Sequence, residues 1–548
     1  MGQFASPFSS YARQAPTPEE RASELLGTLS PEERVGQLFL IDFDGIEIDD
    51  ENPILELIIN GHIGGVVVSA KNNNILGPNN VLINTQQLTQ NLQRTEWSGS
   101  VVSQTNPFTG EEYLPAFIPL FISITQDGDG YPNDQILSSL TPIPSQMAVG
   151  ATWNPNFAQQ AGEILGKELY TLGFNLLFGP SLNVAEDPHP ENLGDLGVNT
   201  FGGNPYWVGV LGQSFISGVH SGSLNHIAVV AKNFPGYIGS DLPKDEDIPS
   251  VRKPLEQLRE TEFAPFFAVT SLAPSQEANI DGVLLSHIKY QGLQGNLQPS
   301  TRPISFDPEG FGELINQPEF SAWRDTGGLV ISDELGTRAI RRFFDPTEGV
   351  FNASLVALNA FLSGNDLLQL GDIIADTDPD SITTVQNTLE FFARKYREDL
   401  IFAERVDAAV LRILTLKFSL YTNFTIENIL SNQFELEDIG NSDDMTFRIA
   451  SEAVTLLSPS RENLNVVLPA PLRPHENLVI FVDSFDTTQC DACSPQSILE
   501  KTGLEDALIR LYGPDATGQI FRRNLFSFTY DELDNSLNIA EDENNLVL

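Results

Sequence analysis

Four apolar runs of this chain end in side chains able to do chemistry. The run Leu329-Val330-Ile331-Ser332 ends in Asp333 and Glu334; the run 228–234 carries Lys232 and Asn233; the run 282–290 carries His287; and the run 119–125 leads into Gln126, Asp127, Gly128 and Asp129. A carboxylate that faces a second proton-carrying group across a sugar ring is what glycoside hydrolysis needs, because its transition state is oxocarbenium-like. In a retaining enzyme the two carboxyl groups stand roughly 5–5.5 Å apart. A lysine such as Lys232 also suits a Schiff base, yet the sequence offers no phosphate or carbonyl partner for aldolase chemistry. The structural alternatives stay open: Asp333 as a helix N-cap, and Lys232 and His287 as satisfied groups within the fold.

Placing these residues at one centre requires a particular architecture. Short runs rich in Val, Ile, Leu and Phe recur at 35–43, 63–69, 119–125, 174–182, 228–234, 282–290, 327–333 and 366–370. Helical periodicity marks 156–172, 205–220, 251–269, 347–362, 381–397 and 403–418. Strands apolar on both faces fit a parallel sheet covered by helices. This alternation predicts an α/β fold, a (β/α)8 barrel of TIM type over 18–420, whose chemistry lies in the loops after the strands. The polar stretches 69–91 and 97–116 read as long loops or partly helical excursions. Residues 1–17 read as an N-terminal extension and 421–445 as a linker. Residues 446–548 read as a C-terminal α/β domain with a parallel sheet, small or cut short, because a single strand (478–483) and helices at 447–457 and 497–512 make a thin core.

Composition narrows the function. Asp+Glu 74 against Lys+Arg 30 leaves a formal net charge of −44, a field that repels nucleic acid and anionic membranes. Such a surface suits the outside of a cell, with a cytoplasmic location left open. No apolar stretch is long enough to span a bilayer, and residues 1–16 lack the regions of an export signal, as a processed mature chain would. The two cysteines form Cys490-Asp-Ala-Cys493; a small disulfide loop is the first reading, with free thiols or redox work as alternatives. A lone pair of this kind does not complete a zinc site, and no metal or organic cofactor is expected. The sequence does not indicate an oligomeric state.

The segments Arg34-Val-Gly-Gln-Leu-Phe, Ile63-Gly-Gly-Val-Val, Pro119-Leu-Phe-Ile-Ser, Pro142-Ile-Pro-Ser-Gln-Met-Ala-Val-Gly-Ala-Thr-Trp, Gly179-Pro-Ser-Leu-Asn-Val, Thr200-Phe-Gly-Gly-Asn-Pro, Lys232-Asn-Phe-Pro-Gly, Ile331-Ser-Asp-Glu-Leu-Gly and Gly364-Asn-Asp follow one another in the order of a known family. Together they resemble a family-3 glycoside hydrolase of the β-N-acetylhexosaminidase branch. The resemblance implies a retaining exo-glycosidase acting on terminal β-linked sugars of an oligosaccharide or cell-wall glycan, with Asp333 as nucleophile. It also implies that Lys232, Asn233, His287, Asp127 and Asn199 lie at sugar-binding positions.

Several positions depart from that pattern. The branch carries its acid/base histidine on the loop after the fifth strand, where this chain has none; alignment on Pro249 puts Asp245 there, with Asp241 as alternative and Glu246 beside it. A buried carboxylic acid can take that role, although the acidic run also reads as plain solvated loop. Thr125, Asn233 and Asn199 replace the family's aspartate, histidine and arginine. Each lost charged hydrogen bond removes ~1.5–3 kcal/mol of binding. A weakened or inactive descendant, acting as a carbohydrate-binding or extracellular assembly component, is therefore the second expectation.

Overall fold

The computed structural model describes residues 15–49, 51–105, 110–128, 130–131, 133–237, 239–347, 349–467 and 473–543. Most of the 1–17 extension, and Asp129, lie outside them. Eight parallel strands form one sheet: β1 (Phe39–Asp42), β2 (Gly65–Val67), β3 (Phe121–Ile124), β4 (Leu176–Ser181), β5 (Ala228–Phe234), β6 (Gly282–Leu285), β7 (Leu329–Ser332) and β8 (Leu368–Gln369). They are ordered β7-β6-β5-β4-β3-β2-β1-β8, and the bridge Ile331↔Leu367 joins the two ends. That closure makes the barrel the sequence predicts. Every residue of β1, β2, β3, β4, β6 and β7 is buried, as a parallel sheet under helices demands.

The intervening helices include α1 (Val81–Ser100), α2 (Pro155–Thr171) and α3 (Pro205–Gly222), followed by α4 (Arg338–Phe344), α5 (Ala353–Ser363), α6 (Ser381–Glu398) and α7 (Leu400–Leu420). Local chemistry sets their starts: Asn154 and Asn204 accept N–H groups of the first turns of α2 and α3, each with proline at the head. Some expectations are corrected. The helix expected at 251–269 is two short pieces, Leu255–Glu260 and Ala264–Ala268, because Pro265 lies in the first turn of the second and the chain leaves helical geometry at Thr261. The helix expected from 347 starts at Ala353, since Asp345 draws the N–H groups of Gly349 and Val350 into a turn and Asn352 caps the helix. The stretches 69–91 and 97–116 are partly helical, as expected: α1 takes up 81–91 and 97–100, and its Gln93 satisfies the backbone of Leu120.

Beyond α7, the stretch expected as a linker is tied to the barrel: Glu168 accepts the Gly440 N–H at 2.9 Å, and Asn432 donates to the Thr171 carbonyl at 2.8 Å. The C-terminal region holds two parallel strands where the sequence suggested one, β9 (Leu478–Val482) and β12 (Leu525–Thr529), with helices α8 (Gly503–Tyr512) and α9 (Tyr530–Glu543). Between them, β10 (Asp486–Thr487) and β11 (Gln496–Ser497) form a hairpin closed by the Cys490–Cys493 disulfide. Its tip packs on the barrel: Gln489 donates to the carbonyls of Asp134 and Gln135, and Ser494 to that of Gly77.

Candidate active site

The C-terminal ends of β5, β6 and β7 meet at Asp333. Its side chain is 13% exposed, and Oδ2 accepts a 2.7 Å hydrogen bond from Lys244 Nζ. Oδ1 accepts from the Glu334 N–H, and Ser286, just past β6, approaches Oδ2 at 3.4 Å. Burial pushes the Asp333 pKa up, but the charges of Lys244 and His287 and the two hydrogen bonds outweigh it, so the carboxyl is held below its ordinary value and is ionised near neutrality.

Lys244 arrives from the long loop after β5, which is pinned at several points. Tyr237 donates its N–H to Asn183 and its hydroxyl to the Gly194 carbonyl. The Asp245 carbonyl accepts the Ala339 N–H of α4, while Glu246 pairs with Arg338 and Arg342. The loop then ends in Ser250–Val251, paired in parallel with Lys289–Tyr290. Thus pinned, the loop brings Lys244 Nζ between Asp333 and Asn233 Oδ1, 3.0 Å from the latter. Sequence reading missed Lys244, although it stands directly before Asp245; the only available signal was a lysine in an otherwise acidic loop.

The other expected residues divide into those at the centre and those away from it. Lys232 Nζ donates to Asp127 Oδ2 at 2.7 Å, both largely buried, and Asp127 is oriented in turn by Asp134, which accepts the N–H groups of Asp127 and Gly128. Asn233 shares Lys244 with Asp333. His287 is buried, bonded through Nδ1 to Ser305 and through Nε2 to the Glu334 carbonyl, and burial lowers its pKa, so it helps fix the segment after β7. Asn199 Oδ1 is buried and has no hydrogen bond among the described residues. Asp241 and Asp245 are both exposed, so the burial expected of an acid/base carboxyl on this loop is not found at either, and the Asp241 carboxylate is taken by Asn192.

A second group of acids adjoins Asp333. Glu334 turns toward Asp42 at the end of β1 and Asp372 after β8, and Lys71 stands among the three. Gly371, in the left-handed region at φ +60°, leaves room for the Glu334 side chain, which a Cβ there would strike. Asp42 is pushed up to about 7 by burial and by the charges of Glu334 and Asp372, with Lys71 opposing. Its folded pKa is therefore raised, so the cost of ionising it grows as pH rises from its unfolded value toward the folded one. Asp42→Asn should leave the melting temperature unchanged near pH 4 and raise it at pH 8, the gain in stability growing by ~1.4 kcal/mol per pH unit in between. Thermal unfolding of both forms across this range checks it, and a gain independent of pH contradicts it.

The amino-acid sequence between residues 30 and 416 matches the model of the glycosyl hydrolase family 3 N terminal domain. The chain belongs to this family. Among curated proteins it is 22% identical over 400 residues to beta-hexosaminidase A of Pseudoalteromonas piscicida, covering 68% of this chain and 62% of that protein. It is 25% identical over 305 residues to a beta-N-acetylglucosaminidase/beta-glucosidase of Cellulomonas fimi, covering 56% of this chain and 48% of the relative. The chain thus spans about half to six-tenths of the length of these relatives. A solved family 3 beta-N-acetylglucosaminidase from Paenibacillus sp. strain FPU-7 superposes with TM-score 0.68 at 21% identity, covering 94% of this chain and 83% of that one. A beta-N-acetylhexosaminidase from Beutenbergia cavernae superposes with TM-score 0.53 at 20% identity over 71% of this chain and 98% of its own. At these identities the structural likenesses bear on the fold.

Proposed function

We propose that this family 3 member is a retaining exo-glycosidase that removes terminal β-linked sugars, of the β-N-acetylhexosaminide or β-glucoside type, from an oligosaccharide or cell-wall glycan. The observation that carries the reading is the largely buried Asp333 carboxylate, kept ionised by Lys244 at the mouth of the barrel. In the first step a carboxylate oxygen of Asp333 bonds to the anomeric carbon while the glycosidic C–O bond breaks and the departing oxygen takes a proton. In the second, water loses a proton to the same acid/base and displaces Asp333, which restores the original configuration. The paired Lys232 and Asp127 offer a donor and an acceptor for sugar hydroxyls, and Asn199 Oδ1 a buried acceptor still unused.

For the acid/base we propose Asp245. Of its neighbours on the loop, Asp241 is engaged with Asn192 and Glu246 with two arginines, whereas the Asp245 carboxyl extends from a backbone fixed by Ala339. A proton donor matters most when the leaving group is poor. Asp245→Gly should therefore lose ~10²–10⁴-fold in kcat on alkyl or disaccharide substrates, lose far less on a dinitrophenyl glycoside, and regain turnover with added azide. Equal losses on good and poor leaving groups, with no azide response, would assign proton transfer elsewhere.

A further inference from the structure

We propose that the acidic cleft beyond the ends of β1 and β8 takes the ammonium group of an amino sugar, so that the glycan served by this protein carries free, unacetylated amines. The inference rests on the glycosidase reading and goes beyond the sugars named there, since a free amine belongs to neither an N-acetylhexosaminide nor a glucoside. The cleft encloses about 530 Å³ between the chain after β1 and that after β8, and among its walls are Asp42, Asp44, Glu47, Asp49, Glu51 and Asp372. A volume of that order admits a monosaccharide. Acidity by itself selects no ligand, but Asp42 gives a second, independent sign. Its side chain is 3% exposed, and its Oδ1 has no hydrogen bond among the described residues, although the residue lines the cleft. An unpartnered buried carboxylate oxygen costs stability unless a ligand satisfies it.

The chemistry of that ligand follows from what already stands there. Lys71 Nζ lies 3.8 Å from Asp42 Oδ2, 3.9 Å from Glu334 Oε1 and 3.5 Å from Asp372 Oδ2, and its side chain is 52% exposed. An alkylammonium is thus drawn to the middle of three carboxylates yet held too loosely for close hydrogen bonds. The cluster keeps negative charge after Lys71 is counted, so a second ammonium can join it or displace the lysine. Lys71, itself an organic ammonium, is the cation the cluster already holds. Glu334 follows Asp333 directly in the chain and reaches Lys71 beside Asp42 and Asp372, which links the cluster to the segment that carries Asp333.

Binding can be measured apart from catalysis. In the Asp333→Asn protein, which keeps the shape of the site, isothermal titration with glucosamine, N-acetylglucosamine and glucose should give at least about tenfold tighter binding of glucosamine. Asp42→Asn or Asp372→Asn in that background should erase the preference. Lys71→Met should strengthen glucosamine binding, a gain that damaged folding does not produce. Equal affinity for the three sugars, or calcium displacing glucosamine at stoichiometric level, overturns the proposal. Failure of the glycosidase reading shows separately: the wild-type protein would release no nitrophenol from p-nitrophenyl glucosaminide, N-acetylglucosaminide or glucoside, whatever it binds.

Discussion

Asp333→Asn should lower kcat on p-nitrophenyl β-glycosides by about 10⁴- to 10⁶-fold, the scale of loss when a covalent nucleophile or its close partner is removed. The substitution keeps size and shape, and the amide can still accept from Lys244 through its oxygen, so the barrel should melt near the wild-type temperature. Covalency has its own readout. A 2-deoxy-2-fluoro glycoside with an activated leaving group should inactivate the wild-type enzyme stoichiometrically, and the modified peptide should contain Asp333. Retained turnover in the variant, or label on another peptide, would end the assignment.

The second large effect concerns Lys244. It donates to Asp333, the proposed nucleophile, and acts through it, so its removal should change when Asp333 is ionised as well as how fast the enzyme turns over. Lys244→Met should reduce kcat/KM by about 10–100-fold, the equivalent of ~1.5–3 kcal/mol for a hydrogen bond to a charged group. The direction on pH follows from the balance at Asp333: burial raises its pKa, and the strongest opposing contribution is the Lys244 charge. Without that charge the folded pKa rises, a larger fraction of Asp333 is protonated at a given acidic pH, and the acidic limb of the kcat/KM profile moves to higher pH. Lys244→Arg, which keeps the charge, should leave the limb close to its wild-type position. A uniform loss with no movement of the limb would make Lys244 a packing residue only.

The barrel was legible because buried parallel strands are nearly continuous apolar runs, and Val66, Ile122, Val229, Val283 and Val330 sit in such runs whatever the rest of the chain does. Asp333 was legible for the same reason: a carboxylate that ends such a run is carried to the mouth by the strand itself. Elements governed by short-range competition were read less well. Pro265 restarts a helix that periodicity runs through, and the Asp345 turn delays another until Asn352. Lys244 was illegible because nothing local determines where its side chain goes; its reach to Asp333 depends on contacts that tie its loop to the segments after β4 and β6 and to α4. Asp42 was passed over for a related reason. In sequence it is one more acid in a very acidic chain, and only the closure of β8 onto β1 sets it beside Glu334 and Asp372.

The hairpin near the C-terminus gives the barrel mouth a splint. Its cross-link lies three residues from end to end, and from it Gln489 grips the carbonyl of Asp134, a residue 355 positions earlier. Asp134 in turn orients Asp127, the partner of Lys232. Lys232 is thus joined through Asp127 and Asp134 to a distant part of the chain, so the tail and the barrel mouth form one hydrogen-bonded assembly although their residues lie far apart in sequence.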